Sequence, residues 1–291
     1  TKEKQRMKLK TFASRSISML AIVGAFSYAQ AGDGSYGGAM GGVAPAAPAP
    51  SGIGAAPAPL NALGGGAGLL SEAGFEIGLG YDTDYIFRGY DLGHDFLWAS
   101  LDLVLNPTDQ FEFNLGTWYT NGFNEGASEI DIYGGVGFNW NSFNVGVGLT
   151  HYAYPDGRTR GGQTNGGETN EAYLTLGNTY SVGNWSFDTT LAYYYDFDLE
   201  NHFVELSAET AYQVTDSLTV VPAFGISYAS FDVSGAEGVN HAFASLSLPL
   251  ALTANATLTP YVATSVALDV AENSFGENDY FWGGVSLSVS F

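Results

Sequence analysis

The stretch that decides the fold is Tyr280–Phe291, with the sequence YFWGGVSLSVSF. Side chains on a β-strand alternate between two faces, so one face of this stretch is apolar and the other is small and polar. The apolar face carries Phe281, Val285, Leu287, Val289 and Phe291. We expect such a strand where a β-barrel closes in lipid, because a bilayer tolerates no unpaired sheet edge.

The same alternation repeats from Gly74 to Phe291 in units of about ten to twelve residues, each followed by a break. No helical period is present, and no apolar run is long enough for a transmembrane helix. The pattern predicts an all-β fold, a transmembrane antiparallel up-and-down β-barrel of about 12 strands over residues 73–291. The strands should begin near Phe75, Asp95, Phe111, Glu129, Phe143, Glu171, Trp185, Asn201, Leu218, His241, Thr257 and Tyr280.

The breaks between strands alternate in length. Every second break is a tight turn rich in Asn, Asp, Ser, Gly and Pro, such as residues 106–110 and 181–184. The others are mostly longer, near residues 86–94, 121–128, 155–170, 196–200, 230–240 and 270–279. Short periplasmic turns and longer outer loops are typical of outer-membrane barrels, and an even strand count places both ends on the periplasmic side.

A soluble β-sandwich or a surface adhesin is the alternative, since alternation also occurs there. Its polar face would meet solvent, whereas the polar face here is rich in Gly and Ser and has no lysine. Aromatic residues also collect at both strand ends of the apolar face, as in the two interfacial belts of a membrane barrel. We therefore expect a location in the outer membrane, surrounded by its lipid.

Residues 1–31 have the features of a secretory signal peptide. Met7 fits a start site, which would make residues 1–6 an over-called upstream extension. A basic segment precedes the apolar core Ile17–Phe26, and Ala29-Gln30-Ala31 fits the small-x-small cleavage rule. A membrane anchor is the alternative, but the core is too short to span a bilayer as a helix. Residues 32–72 are rich in Gly, Ala and Pro, which predicts a disordered spacer or, alternatively, a tether.

The charge of the chain excludes one class of partner. The sequence has 9 Lys and Arg, 30 Asp and Glu, and no cysteine. Six of the basic residues and Glu3 precede the predicted cleavage site, which leaves three arginines against 29 acids, a net charge of −26. Such a charge excludes nucleic acid as a partner and favours cations. Without cysteine there is neither a disulfide framework nor a cysteine-ligated metal.

The first predicted strand and the break after it contain Asp84, Tyr85, Phe87, Arg88 and Gly89. These residues resemble the signature of the Gcw-chp family of bacterial outer-membrane proteins. The resemblance implies an outer-membrane β-barrel and little about activity. The final strand also resembles the C-terminal strand of bacterial outer-membrane proteins, which implies that Phe291 is an assembly signal for the barrel assembly machinery.

Strand parity predicts that the inner face is acidic. A water-filled lumen lined with acids would favour small cationic or neutral solutes. Trp282 also faces inward and is a candidate for blocking the pore. Arg88 should share a face with Asp82 and Asp84 as their counterion, or alternatively act in selectivity. The acidic candidates for the lumen are Asp82, Asp84, Asp102, Glu112, Glu129, Asp131, Glu205 and Glu209, besides Glu76, Asp188 and Asp269.

The loops add two further hypotheses. Arg158 and Arg160 lie in the long loop 155–170, which either folds inward as a constriction or stays flexible at the surface. Acids in the last loop, such as Glu272, Glu277 and Asp279, are candidates for weak Ca²⁺ binding. We expect no other cofactor.

Three functions follow from these observations. The first is a passive, cation-preferring channel, and the second is a closed structural or adhesive barrel that presents loops or a periplasmic tether. The third is a lipid hydrolase with His151 on the lipid-facing side. No serine lies two residues after His151, so local spacing shows no nucleophile–base pair. The residues therefore predict a protein that is not an enzyme.

Overall fold

The computed structural model describes residues 73–108, 110–126, 128–155, 168–232 and 234–291, with the backbone alone at residues 124–126. The predicted signal peptide (residues 1–31) and spacer (residues 32–72) lie outside the described residues. Arg158 and Arg160 also lie outside them, so their two interpretations remain predictions.

The described chain is an all-β barrel with twelve wall strands and one short strand that extends the wall. The two-residue strand β11 continues the line of β10 beyond Leu248 and Pro249, since Leu250 bridges to Leu218 on one side and pairs with Leu258 on the other. The strands are β1 (Ala73–Phe87), β2 (Tyr90–Thr108), β3 (Phe111–Gly126), β4 (Glu129–Trp140), β5 (Phe143–Ala153), β6 (Glu168–Val182), β7 (Trp185–Asp196), β8 (Asn201–Gln213), β9 (Thr219–Phe231), β10 (Ala236–Ser247), β11 (Leu250–Ala251), β12 (Ala256–Ala267) and β13 (Tyr280–Ser290).

The final strand closes the barrel, as the sequence predicts. β13 pairs with β1 in an antiparallel register from Glu76↔Ser290 to Asp82↔Gly284. The backbone N–H of Phe291 donates to the carbonyl of Phe75 at 2.7 Å, and their rings lie 6.1 Å apart. On the other side β13 pairs with β12, and β12 pairs with β10. Every wall strand therefore has two antiparallel neighbours, which removes the sheet edges.

The two faces of the wall differ as the alternation predicts. Leucines of the outer face are more than half exposed, with Leu79 at 53%, Leu115 at 57% and Leu149 at 59%. Aromatic residues of the inner face are buried, such as Trp118 and Tyr152. An apolar outer face of this kind is stable in hydrocarbon and unfavourable in water. The fold is that of an outer-membrane β-barrel.

Several strands extend further toward the loop side than the alternation predicts. β2 begins at Tyr90 rather than near Asp95, β6 at Glu168 rather than Glu171, and β10 at Ala236 rather than His241. The predicted loop 86–94 was therefore wrong: a two-residue turn, Arg88–Gly89, replaces it. Both turn residues have positive φ, 51° and 87°, the backbone combination of a tight type I′ hairpin. Alternation of side chains carries no signal for such a turn.

The last loop contains a π-helical turn, Ala271–Phe275, which ends at Gly276 with φ 76°. No helix among the described residues has the length and apolar character needed to cross a membrane. The turn places Phe275 against Tyr90 and Phe231, with ring centroids 5.3 and 5.1 Å apart. The last loop therefore packs against the tip of the β1–β2 hairpin.

Candidate functional site in the barrel lumen

The tip of the β1–β2 hairpin departs from the regular wall. The pairing of β1 with β2 shifts between Asp84 and Ile86, where Leu92 and Gly93 form a β-bulge on β2 opposite Tyr85. Tyr85, Ile86 and Phe87 are consecutive, and all three are buried. A regular wall strand would turn every second side chain outward, so this segment has left the wall and is enclosed in the lumen. We call Tyr85–Tyr90 the hairpin plug.

The hairpin plug crosses the lumen to the far wall. Arg88 reaches Glu171 on β6, Tyr194 on β7 and Phe203 on β8, and β7 lies six strands from β1 in the ring of twelve. Its carbonyl accepts a hydrogen bond of 2.7 Å from the side-chain amide of Asn240 on β10. The hydroxyl of Tyr90 donates to the same side chain at 2.8 Å. The plug therefore has polar contacts on more than one wall strand.

Gly89 permits this close approach. A Cβ atom at Gly89 would lie 2.8 Å from both Cβ and Cγ of His241, closer than packed carbon atoms come. Asn240 and His241 are consecutive and both buried, because a second bulge interrupts the pairing of β10 with β9 between Val239 and Ala242. The turn of the hairpin plug thus lies against the bulge of β10, and glycine is the residue that fits there.

Arg88 has a different partner from the predicted one. Nη1 and Nη2 donate to the two carboxylate oxygens of Glu171 at 2.7 and 2.9 Å. The guanidinium carbon lies 4.4 Å from the ring centroids of both Tyr194 and Phe203, and 4.8 Å from that of Phe87. This is a bidentate ion pair enclosed by aromatic faces, and the pair is nearly buried.

The interpretation of Arg88 as the counterion of Asp82 and Asp84 was therefore wrong. Asp82 is buried and accepts a hydrogen bond of 2.6 Å from the hydroxyl of Tyr261. Asp84 instead lies 2.6 Å from Nδ1 of His94, whose side chain is 61% exposed. The turn is the physical reason, because β1 ends just before Arg88, which has a φ of 51°, so strand parity does not extend from Asp84 to Arg88.

Aromatic residues fill the lumen around the hairpin plug. Tyr85 packs against Phe96 and Trp118, with ring centroids 5.1 and 5.8 Å apart. On the other side of the plug, Ile86 packs in a buried cluster with Tyr261, Ala263 and Trp282. Trp282 thus lies where a blocking residue would lie, and its effect on conduction remains a prediction.

Several predicted lumen acids lie on the inner wall and accept hydrogen bonds from tyrosine hydroxyls. Glu129 is fully buried and accepts hydrogen bonds from Tyr85 at 2.8 Å and from Tyr154 at 3.5 Å. Asp102 accepts one from Tyr133. Ionised carboxylates on the inner wall contribute negative charge to the field of the lumen. Of the remaining candidates, Asp131 and Glu112 are buried, Glu205 is partly buried, and Glu209 lies opposite Asp188 in the β7–β8 pairing.

The residues that the sequence reasoning missed include Glu171, Asn240 and His241. Glu171 precedes the inward-facing Tyr173 by two residues, so the same parity would have placed it in the lumen. No comparable signal exists for Asn240 and His241, because a bulge sets their orientation.

The local spacing of residues in the sequence also failed to predict a contact between a serine and a histidine. Oγ of Ser227 lies 2.6 Å from Nδ1 of His241, across the β9–β10 pairing, and both residues are buried under Gly89. The lipid-hydrolase hypothesis instead relied on His151, whose Nδ1 lies 3.0 Å from the side-chain oxygen of Asn170. The contact of Ser227 with His241 lies inside the barrel, away from the lipid face that this hypothesis requires.

The acidic residues of the last loop line an open cleft, where Glu272, Glu277 and Asp279 are joined by Gly276 and Asn278. One carboxylate oxygen of Asp279 accepts a hydrogen bond of 3.2 Å from the N–H of Ala267, and Glu277 accepts one from Tyr280. Within the described ranges, no three His or acidic side chains converge as metal ligands do. Weak Ca²⁺ binding here therefore stays a prediction.

A family model described as "Bacterial protein of unknown function (Gcw_chp)" matches residues 67–235. The chain belongs to the Gcw_chp family. The family resemblance seen in the sequence falls on the hairpin plug and its entry, Asp84 to Gly89, so the most recognisable stretch of this Gcw_chp protein is the one that fills its lumen. A comparison with curated proteins gives no significant match.

Solved structures confirm the fold. The chain is similar to the COG4313 outer membrane channel from Pseudomonas putida F1, with a TM-score of 0.50, 13% identity, and coverage of 75% of this chain and 95% of that one. It is also similar to the KdgM porin in complex with disordered oligogalacturonate, with a TM-score of 0.46, 12% identity, and coverage of 74% and 99%. The NanC porin gives a TM-score of 0.45, 11% identity, and coverage of 75% and 98%. The similarity to the COG4313 channel supports an outer-membrane β-barrel fold and nothing finer.

Proposed function

We propose that this Gcw_chp protein is a passive outer-membrane channel for small solutes, that it prefers cations, and that the hairpin plug narrows its lumen. The observation that carries the proposal is the charge of the inner wall. Acidic side chains such as Asp82, Glu112 and Glu129 lie on that wall, whereas Arg88 is the one lysine or arginine within the residues the structure describes. A lumen of this sign attracts cations and repels anions.

The hairpin plug is compatible with passage because β1 pairs with β13 only up to Asp82, before the plug begins. Its main links to the far side are the Arg88–Glu171 pair and the two hydrogen bonds to Asn240. A shift of the plug would leave the antiparallel pairing of the wall intact. Small cationic or neutral solutes would then pass beside it.

The test is single-channel recording in planar bilayers with a KCl gradient. We expect conductance with a reversal potential on the cation-selective side, and a larger conductance when residues 86–91 are replaced by Gly-Gly. Glu112→Gln and Glu129→Gln should each reduce the cation preference, because each removes one charge from the wall. An anion-selective reversal potential would overturn the proposal.

A closed structural barrel is the second candidate, and the packed aromatic clusters around the hairpin plug favour it. In that case the protein would present its loops, or tether a partner through residues 32–72. This candidate predicts no conductance in the wild-type protein and none when only the plug contacts are loosened. Folding through the barrel assembly machinery is expected under both candidates.

A further inference from the structure

The far wall of the lumen contains a site that fits a guanidinium group. Glu171 on β6, Tyr194 on β7, and Phe203 and Glu205 on β8 surround the head of Arg88, and we call these four residues the guanidinium site. Glu171 is 3% exposed, Tyr194 6% and Phe203 4%. All four residues belong to regular strands of the wall, and none belongs to the hairpin that carries Arg88.

The site is held in shape without Arg88. The hydroxyl of Tyr152 on β5 donates to Oε1 of Glu171 at 3.0 Å, which orients the carboxylate. Tyr194 and Phe203 are direct cross-strand partners in the β7–β8 pairing, with ring centroids 6.1 Å apart. A ligand site on rigid strands with supported side chains is preorganised, so binding requires little ordering.

The chemistry of the site matches a planar cation with parallel N–H groups. The two oxygens of Glu171 accept two N–H bonds at 2.7 and 2.9 Å, which a guanidinium supplies and a primary ammonium does not. The centroids of both rings lie 4.4 Å from the guanidinium carbon, a distance at which the π quadrupole attracts a cation. The carboxyl group of Glu205 lies two residues after Phe203 on β8, on the same face of the strand.

We propose that the guanidinium site binds small guanidinium-bearing solutes, and that Arg88 occupies it as an internal ligand that such a solute replaces. The inference deepens the proposed function, since it names the class of cation that the lumen selects, and it rests on that function only for entry of the solute. An internal ligand on a short tether competes at an effective concentration in the millimolar range. Displacement of Arg88 therefore needs millimolar solute, whereas an empty site would bind at lower concentrations.

The experiment uses methylguanidinium as the probe and Arg88→Ala as the variant with an empty site. Isothermal titration of the full-length barrel in detergent should show methylguanidinium binding to R88A at least about tenfold more tightly than to the wild-type protein, because the tethered competitor is gone. Methylammonium is the matched control, because it has the same charge but lacks the two parallel N–H groups of a guanidinium. It should bind R88A about tenfold more weakly than methylguanidinium. The double variant R88A/E171Q should lose most of the binding, because only one oxygen of the acceptor pair remains.

Equal binding of the two cations by R88A, or full binding by R88A/E171Q, would overturn the proposal. If R88A does not fold, Arg88→Lys is the alternative variant, because lysine keeps a positive charge on the hairpin plug but lacks the two parallel N–H groups. Methylguanidinium should then raise the thermal midpoint of R88K and leave that of R88K/E171Q unchanged; no rise in R88K would also overturn the proposal. None of these measurements requires conduction, so a protein that binds methylguanidinium and passes no current would refute the channel alone.

Discussion

The two halves of β1 differ in their side-chain pattern and in their pairing. From Ala73 to Asp82 the strand alternates strictly and pairs with both β2 and β13. From Tyr85 onward three consecutive side chains are buried, the pairing with β13 has ended, and the strand enters the lumen. Lipid on one face and water on the other enforce a period of two in the first half. The second half is enclosed by protein, so packing partners determine its side-chain directions.

Each prediction below tests whether these two halves are independent. We call the pairing of β1 with β13 the seam. If the two halves are independent, changes at the seam should prevent closure of the barrel. Changes at the hairpin plug should alter the lumen and leave the wall intact. The expected effects decrease from the seam to the outer rim.

Deleting Phe291 should have the largest effect and should prevent assembly. Phe291 and Phe75 exchange two backbone hydrogen bonds, of 2.7 and 3.4 Å, at the turn-side end of the seam. Without them the first and last strands leave polar groups unpaired in the membrane, at several kcal/mol for each group. The folded fraction is measured by the difference in gel mobility between heated and unheated samples, and by the amount of protein inserted in the membrane.

Phe123→Ala is the control for that deletion. Phe123 is an exposed aromatic residue near the loop-side end of β3, away from the seam. This variant should assemble normally. Normal insertion of the Phe291 deletion would contradict the role of the seam and the proposal of an assembly signal.

Glu171→Gln should destabilise the hairpin plug strongly while the wall stays assembled. The change leaves the guanidinium of Arg88 nearly buried without its bidentate partner, which costs on the order of 3 kcal/mol for buried pairs. We expect a lower free energy of unfolding in urea, normal heat-modified mobility and a larger channel conductance.

The double variant Arg88→Met with Glu171→Leu tests whether that loss reflects an unpaired charge. Replacing both partners with apolar residues should recover much of the free energy of unfolding, because no buried charge remains. A double variant as unstable as Glu171→Gln would instead indicate that the shape of the pair, and not its charge, holds the plug.

The sequence predicts the wall far better than the plug, and particular residues show why. Leu79, Leu115 and Leu149 alternate with small or polar residues, and this pattern alone gives their outward direction and the strand order. Side-chain alternation does not encode the bulges at Leu92–Gly93 and at Asn240–His241, yet each shifts the register of its strand pair. The partner of Arg88 lies 83 residues away, a distance that no local pattern encodes.

Gly89→Ala should displace the hairpin plug with a smaller loss of stability than Glu171→Gln. A methyl group here meets His241 at 2.8 Å and places alanine at φ 87°. Left-handed backbone costs about 1–2 kcal/mol, and the plug can relax part of the steric clash by moving. Conductance and the thermal midpoint in detergent measure the two effects.

Gly276→Ala separates the backbone cost from the clash. Gly276 has φ 76° in the last loop, with nothing within 4 Å of the position a Cβ would take. This control variant should lose only the stability that corresponds to the left-handed backbone, and it should keep wild-type conductance. Equal conductance changes in both variants would mean that the contact with His241 does not hold the plug in place.

His94→Ala should have the smallest effect, although His94 pairs with the family-motif residue Asp84. The pair joins Nδ1 and Oδ1 at 2.6 Å, but 61% of the His94 side chain is exposed to solvent. Exposed pairs contribute about 0–1 kcal/mol, because water solvates both groups well without the contact. Unfolding in urea and conductance should therefore match the wild-type protein, with Arg88→Ala measured beside it as the buried counterpart. A large loss in His94→Ala would show that the outer rim, and not the far wall, anchors the hairpin plug.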